Sequence, residues 1–343
     1  MTTLKDRLKS MIQASGPLSV ATYMDLCLHD RRHGYYATRP GLGEDFITAP
    51  EISQVFGELI GLWAANEWQM MGAPSRIALV EIGPGRGTLM ADALRATRAV
   101  SGFHTAIDLA FIEASPVLRA NLEQRFAEMT PRVLSDLDAL PTEHPVILIA
   151  NEWLDCLPVT QYVRVGDAWH ERVIGLDEAG ALKFGLDPAT LPEDISPTQD
   201  QAVIELQPGL KTVSETLSQL FSATPGRALF VDYGPADRTP DDTLRSFKAG
   251  TQIDPLAAPG ESDLTCDVDF ARLVRLLRQQ GLQTEGPIAQ GLFLQSLGAE
   301  ARLNQLARQN PDAADTLYQG VVKLVDPAQM GTRFQVVSVA SAR

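Results

Sequence analysis

The spacing of apolar positions divides the chain into stretches of different period. Over residues 4–30, Leu4, Leu8, Met11 and Ile12, then Val20, Tyr23, Met24, Leu26 and Cys27, recur at helical spacing, and Gly16-Pro17 separates two predicted short helices. Residues 31–47 are glycine-rich and read as a loop. Thr48 followed by Glu51 has the form of a capping box, opening a helix to about Met71 with Ile52, Val55, Phe56, Leu59 and Trp63 on its buried side. From there strands alternate with helices, with apolar runs near 77–82, 107–112, 132–134, 145–150 and 227–232. Residues 145–150 are almost wholly apolar, as a strand covered on both faces should be. Residues 159–165, 168–175 and 182–186 alternate instead and turn at Gly166-Asp167 and Ala179-Gly180, which predicts a small antiparallel insertion. Residues 234–265, rich in Pro, Asp and Gly, form a second insertion. A basic amphipathic helix over 267–280 and candidate strands at 282–289 and 332–340 complete the pattern. The expected architecture is α/β: an N-terminal helical segment over 1–75 packed on the core, then one domain over 76–343 with insertions at about 156–225 and 234–265.

The first strand runs into its helix through Val80-Glu81-Ile82-Gly83-Pro84-Gly85-Arg86-Gly87-Thr88. Glycines let a backbone come close to a ligand, and a helix N-terminus presents unpaired N–H groups. This is the shape of a nucleotide-type pocket at the first βα turn of an open sheet. The dinucleotide fingerprint does not fit: the third glycine comes one place early, and Thr88 stands where Gly or Ala belongs. Glu81 would oppose a pyrophosphate and favour a cation. The pattern acid-x-Gly-x-Gly-x-Gly resembles the first motif of class I S-adenosylmethionine (SAM) methyltransferases, which makes Glu81, Gly83, Gly85 and Gly87 candidate cofactor contacts. Glu113 ends the second strand, where an acidic residue binds a ribose hydroxyl pair; a solvated strand end is the plainer alternative. Asp136 and Leu137 follow the third strand, at the place of an adenine pocket or of an ordinary turn.

Asn151-Glu152-Trp153-Leu154-Asp155 follows the fourth strand directly, at the carboxyl edge of the sheet where ligands lie. Glu152 and Asp155, with the Asn151 amide, could hold a planar guanidinium bidentately and aim one nitrogen at a methyl donor. Alternatively, Asp155 caps a turn before Pro158 and Asn151 tethers the loop.

Composition limits the partners. The net charge of −14 over 343 residues argues against nucleic acid. Three scattered cysteines show no metal spacing and suit a reducing compartment; His29 and His33, four apart, lack a third ligand, so no metal is expected. No apolar run is long enough to span a membrane, and the start of the chain lacks a signal-peptide core, so the protein reads as cytoplasmic. The oligomeric state is not fixed by the sequence.

Several segments together resemble the MidA-like proteins, bacterial relatives of the mitochondrial complex I assembly factor that methylates an arginine of a core subunit. They are Gly34-Tyr35-Tyr36, residues 45–58 from Asp45-Phe46 through Thr48-Ala49-Pro50-Glu51 to Glu58, and residues 81–89. Further along come Asn151-Glu152, Leu157-Pro158-Val159, Asp232-Tyr233-Gly234, Asp254-Pro255-Leu256, residues 259–265 and Gly331-Thr332-Arg333-Phe334. The resemblance covers nearly the whole chain in order; Trp153 stands where Phe is expected. It implies a Rossmann-like class I methyltransferase with a seven-stranded, mostly parallel sheet whose last strand is reversed. It implies SAM as cofactor, and a protein substrate with an accessible arginine, a complex I core subunit among the candidates. Thr48, Pro50 and Glu51 would then lie against the methionine end of SAM. Transfer to a small molecule or another protein site, or a non-enzymatic assembly chaperone that keeps the fold, are the alternatives.

Overall fold

The computed structural model describes residues 3–38, 47–140, 143–192, 202–237 and 241–342. Part of the loop read over 31–47, with Asp45 and Phe46 of the resemblance, lies outside the described residues, as do 193–201 and 238–240 of the two insertions.

Two helices open the chain. α1 (Leu4–Ser15) begins with a capping box in which Thr3 and Asp6 satisfy each other's N–H groups, and Gly16 ends it. α2 (Val20–His29) starts on Ser19, whose hydroxyl accepts the Thr22 N–H at 3.0 Å. Within the loop that follows, Tyr35–Thr38 forms one helical turn. The single helix expected from Thr48 to Met71 is two. A four-residue helix, Ala49–Ile52, stops at Ser53, which is extended and caps α3 (Gln54–Met70) by accepting the Val55 N–H at 3.3 Å. The capping box expected of Thr48 and Glu51 does not form. Thr48 makes no side-chain cap, and Glu51 accepts the Thr88 hydroxyl at 2.7 Å instead. A donor brought by a neighbouring helix has outcompeted the local one.

The remaining elements build one sheet with helices on both faces: β1 (Ile77–Ile82), α4 (Thr88–Thr97), β2 (Ile107–Ile112), α5 (Pro116–Arg125), β3 (Arg132–Leu134), β4 (Val146–Asn151), α6 (Gly209–Ala223), β5 (Gly226–Tyr233), α7 (Phe270–Gln279), β6 (Gln283–Ala289) and β7 (Phe334–Ala340). The order is β6-β7-β5-β4-β1-β2-β3. β1 to β5 are parallel, and β7 runs antiparallel to both β5 and β6. The winding direction changes between β1 and β4, which opens a crevice at their carboxyl ends. Alternate residues face opposite cores. Leu79, Phe111, Ile147 and Ile149 pack with α3 and α4, while Val80, Ile82, Leu148 and Phe230 pack with α6 and α7. Strands covered on both sides must be apolar throughout, which accounts for the runs seen in the sequence.

Two excursions stand over that carboxyl edge. Thr160–Val165, Ala168–Leu176, Leu182–Ala189 and Val203–Leu206 form an antiparallel sheet, joined at its margin by Leu18–Ser19. Arg245–Lys248, Thr251–Ile253 and Asp263–Thr265 form another. α1 and α2 pack against both, sharing a core that includes Leu8, Tyr23, Val159, Ile174 and Leu264.

Between β6 and β7 the sequence pattern left helices unassigned, the longer ones being α8 (Gln290–Ser296), α9 (Ala299–Gln309) and α10 (Ala314–Val325), with a helical turn at Met330–Arg333 leading into β7. They are fixed to the body in two ways. Glu58 of α3, wholly buried, takes Arg302 of α9 at 2.7 Å and Arg95 of α4 at 3.0 Å. Gly320 of α10 lies against the end of the Ala49–Ile52 helix, so that a Cβ there would fall 2.9 Å from the Ile52 carbonyl oxygen.

Candidate active site

At the carboxyl ends of β1, β2 and β4 the chain encloses a cavity of about 360 Å³, the size of a cofactor site. Its floor is the glycine turn. Gly83, Gly85 and Gly87 have φ of +63°, +53° and +73°, a region costly for other residues. A Cβ on Gly87 would also lie 2.7 Å from the Phe126 ring, so position 87 takes no side chain; Gly83 and Gly85 line the cavity, whereas Gly87 packs on Phe126 and Leu122 and is not among the lining residues. Glu81 is buried below it. Burial pushes its carboxyl up to about 8, Arg125 and the Met90 N–H pulling the other way. One of its oxygens, Oε2, has no hydrogen-bond partner, and the residue lines the cavity. An orphaned carboxyl oxygen beneath a glycine cradle fits a cationic nucleoside, whose charge favours its ionised form.

Glu113 ends β2 on the cavity wall, its Oε1 accepting the Ser115 N–H at 2.8 Å. Burial raises its pKa above the usual value, with the Ser115 and Gly85 N–H groups opposing. Asp136 accepts the Ala139 N–H at 3.2 Å and so does the work of a turn residue, while it and Leu137 also line the cavity. Thr48, Pro50 and Glu51 close it from above.

The other end is acidic and aromatic. Glu152 follows β4 with φ +50°, unusual for a residue with a side chain. Its Oε1 accepts the Ala49 N–H at 2.7 Å and the Asn151 amide at 3.1 Å. Burial lifts its carboxyl to about 7, those two donors lowering it and Asp155 raising it. The Asn151 Oδ1 has no partner. Asp155 Oδ2 accepts Tyr233 at 2.9 Å and Thr265 at 2.7 Å, and burial raises its pKa. Asp155 is not the cap of its turn. Asp232 has that role: its Oδ2 receives the N–H groups of Trp153, Leu154 and Asp155 at 3.0, 2.8 and 3.2 Å, which fixes the loop.

Tyr36, Cys156, Tyr233, Asp263 and Thr265 join this end of the cavity. The Tyr36 hydroxyl lies 2.9 Å from both Cys156 Sγ and Asp263 Oδ1. None of these had a role assigned from the sequence, although Tyr36, Tyr233, Asp263 and Thr265 fall within the resembling segments. His29 reaches the same wall and stacks on Tyr36 with centroids 5.8 Å apart, whereas His33 pairs with Asp30, so the two histidines do not share a site. Among the described residues lining the cavity, Arg86 of the glycine turn is the one permanent cation.

Residues 59–288 match the sequence profile of a family described as S-adenosyl-L-methionine-dependent methyltransferases. A Drosophila melanogaster protein named protein arginine methyltransferase NDUFAF7 homolog, mitochondrial, is 35% identical over 98% of this chain and 84% of its own length. The Homo sapiens protein arginine methyltransferase NDUFAF7, mitochondrial, is 34% identical over 97% and 82%. The chain belongs to the MidA-like family of SAM-dependent methyltransferases. A crystal structure from Burkholderia thailandensis, bound to S-adenosyl-homocysteine, superimposes on this MidA-like protein with a TM-score of 0.85 at 25% identity, covering 98% of this chain and 91% of that one.

These relatives correct one expectation. The cytoplasmic assignment is overturned, since the Drosophila, rat and human members are designated mitochondrial. The physical reason is simple: few, unpaired cysteines indicate a reducing compartment and do not say which one.

Proposed function

We propose that this MidA-like protein methylates the guanidinium of an arginine in a protein, with a complex I core subunit as the substrate. The observation that carries the reading is the acceptor end of the cavity, where Glu152 and Asp155 stand beside Tyr36 and Tyr233 and none of the described residues lining that end is a permanent cation. A planar cation with five donors suits paired carboxylates and aromatic faces. The names of the relatives support arginine as acceptor, while the complex I context rests on the family resemblance of the sequence.

In this reading Gly83 and Gly85 admit the cofactor, Gly87 lets the turn close on Phe126, Glu81 faces the cofactor's cationic end, Glu113 takes the ribose hydroxyls, and Asp136 and Leu137 border the base. Thr48, Pro50 and Glu51 cover the methionine end. SAM, when bound, supplies an electrophilic methyl group on sulfur. Glu152 and Asp155 hold the guanidinium and Asn151 orients Glu152, so that one nitrogen is aimed at that methyl. As the N–C bond forms and the C–S bond breaks, the nitrogen loses a proton. Glu152, with a carboxyl near 7, is suited to hold it.

The test is labelling. Tritiated-methyl SAM and the purified protein are added to an extract of cells lacking it, and the labelled protein is hydrolysed. Label in methylarginine is the expected result; label elsewhere, or no SAM binding by calorimetry, rejects the reading.

A further inference from the structure

Gly331-Thr332-Arg333-Phe334 lies outside the cavity, and the reading above gives it no role. Yet Arg333 is held in a specific place. Its Nη1 and Nη2 donate to the two oxygens of Asp267 at 2.7 and 2.5 Å, a fork-on-fork pair. The same guanidinium stands over the Tyr233 ring, 5.1 Å from its centroid. Phe334, paired with Tyr233 across β5 and β7, meets that ring edge-on at 5.5 Å. The Arg333 carbonyl accepts the Gly234 N–H at 3.1 Å, tying the two strand ends together. The ring is therefore clamped by a cation and a phenyl edge, while its hydroxyl reaches Asp155 Oδ2 at 2.9 Å.

We infer that Arg333 is a positioning residue for methyl transfer, acting through the Tyr233 ring to set the orientation of the Asp155 carboxylate. The inference rests on Asp155 belonging to the acceptor site. Two effects combine. A guanidinium locked on Asp267 has little freedom left to lose and keeps the ring in one plane. A cation over an aromatic face also draws electron density from the ring, which makes the phenol a stronger donor. With Oδ2 engaged by Tyr233 and Thr265, Oδ1 is left beside the weak thiol donor of Cys156 at 3.3 Å and is the oxygen that meets a cationic acceptor.

The experiment compares Arg333→Gln, Arg333→Lys, Tyr233→Phe and the double variant Arg333→Gln/Tyr233→Phe. Initial rates of label transfer from tritiated-methyl SAM to the extract described above are measured at saturating SAM, with SAM affinity by calorimetry. Arg333→Gln should lower the rate about tenfold while SAM affinity stays within about twofold, and Arg333→Lys should recover part of the loss. The double variant should be no slower than Tyr233→Phe, because the two changes act on one path. Losses that multiply in the double variant, or a wild-type rate in Arg333→Gln, overturn the inference. A crystal of Arg333→Gln soaked with S-adenosylhomocysteine gives a second readout: the Tyr233 hydroxyl should leave hydrogen-bond distance of Asp155, and an unmoved ring counts against the proposal. Rates are compared whichever residue takes the label, so label outside arginine sinks the arginine reading while the role of Arg333 is still decided.

Discussion

Glu81 and Glu152 are both carboxyl groups that burial holds near neutrality, and their environments give them different tasks. Glu81 keeps its proton up to about pH 8 in the folded chain, against 4.5 for a free side chain. A folded pKa above the unfolded one means the folded state binds the extra proton. The stability this group contributes is therefore full below about 4.5 and is lost as pH rises through about 8. The thermal midpoint of the cofactor-free protein should fall across that window, and Glu81→Gln should flatten the fall. A cation above the glycine turn favours the ionised form, so SAM binding should release a proton near neutral pH. Calorimetry in two buffers of different ionisation enthalpy would detect it, and the release should vanish in Glu81→Gln. Glu152→Gln keeps an oxygen for the Ala49 N–H but cannot take up the acceptor's proton. Methyl transfer should drop about 100-fold with SAM affinity little changed. A rate near wild type would remove Glu152 from the chemistry. At this scale the sequence was informative where a residue follows directly on a strand, as Glu113 and Glu152 do. Tyr36, Asp263 and Thr265 carry no such marker, because topology alone brings them to the cavity.

Elements were legible in proportion to how local their causes are. The strand, glycine turn and helix at 77–97 needed only adjacent residues, and the antiparallel insertion announced itself through alternation and turns. The capping box at Thr48 failed because Thr88, on another helix, donates to the Glu51 carboxylate that the box would use. The helices α8 to α10 have ordinary amphipathic spacing and no chemical landmark, so nothing in the pattern drew attention to them. Their attachment is testable. Arg302→Met leaves the buried Glu58 with Arg95 alone, and removing one partner of a buried ion pair typically costs about 3 kcal/mol of stability. Denaturant unfolding should show a loss of that order; no change would mean Arg95 suffices.

For the molecule as a whole, a net charge of −14 surrounds an acceptor end that is itself acidic. Like-signed surface and site draw a basic protein segment in from a distance, and salt screens that attraction. The KM for a basic acceptor should rise severalfold between about 0.05 and about 0.5 M salt. The affinity for SAM, whose cavity is walled by the glycine turn and by Thr48, Pro50 and Glu51, should change much less. An acceptor KM indifferent to salt would show that recognition is local. The fold class followed from the alternation of periods along the chain. The acceptor end did not, since it is assembled from the N-terminal turn, the loop after β4, the end of β5 and an inserted strand.

The seat of Gly320 against Ile52 has a consequence for reading natural variants of this chain. Even a methyl group there would act as a wedge, tilting the Ala49–Ile52 turn away from both Glu152 and Thr88. Such an allele lies outside the residues that line the cavity, and a weakened affinity for SAM, read by calorimetry, is the expected sign of it.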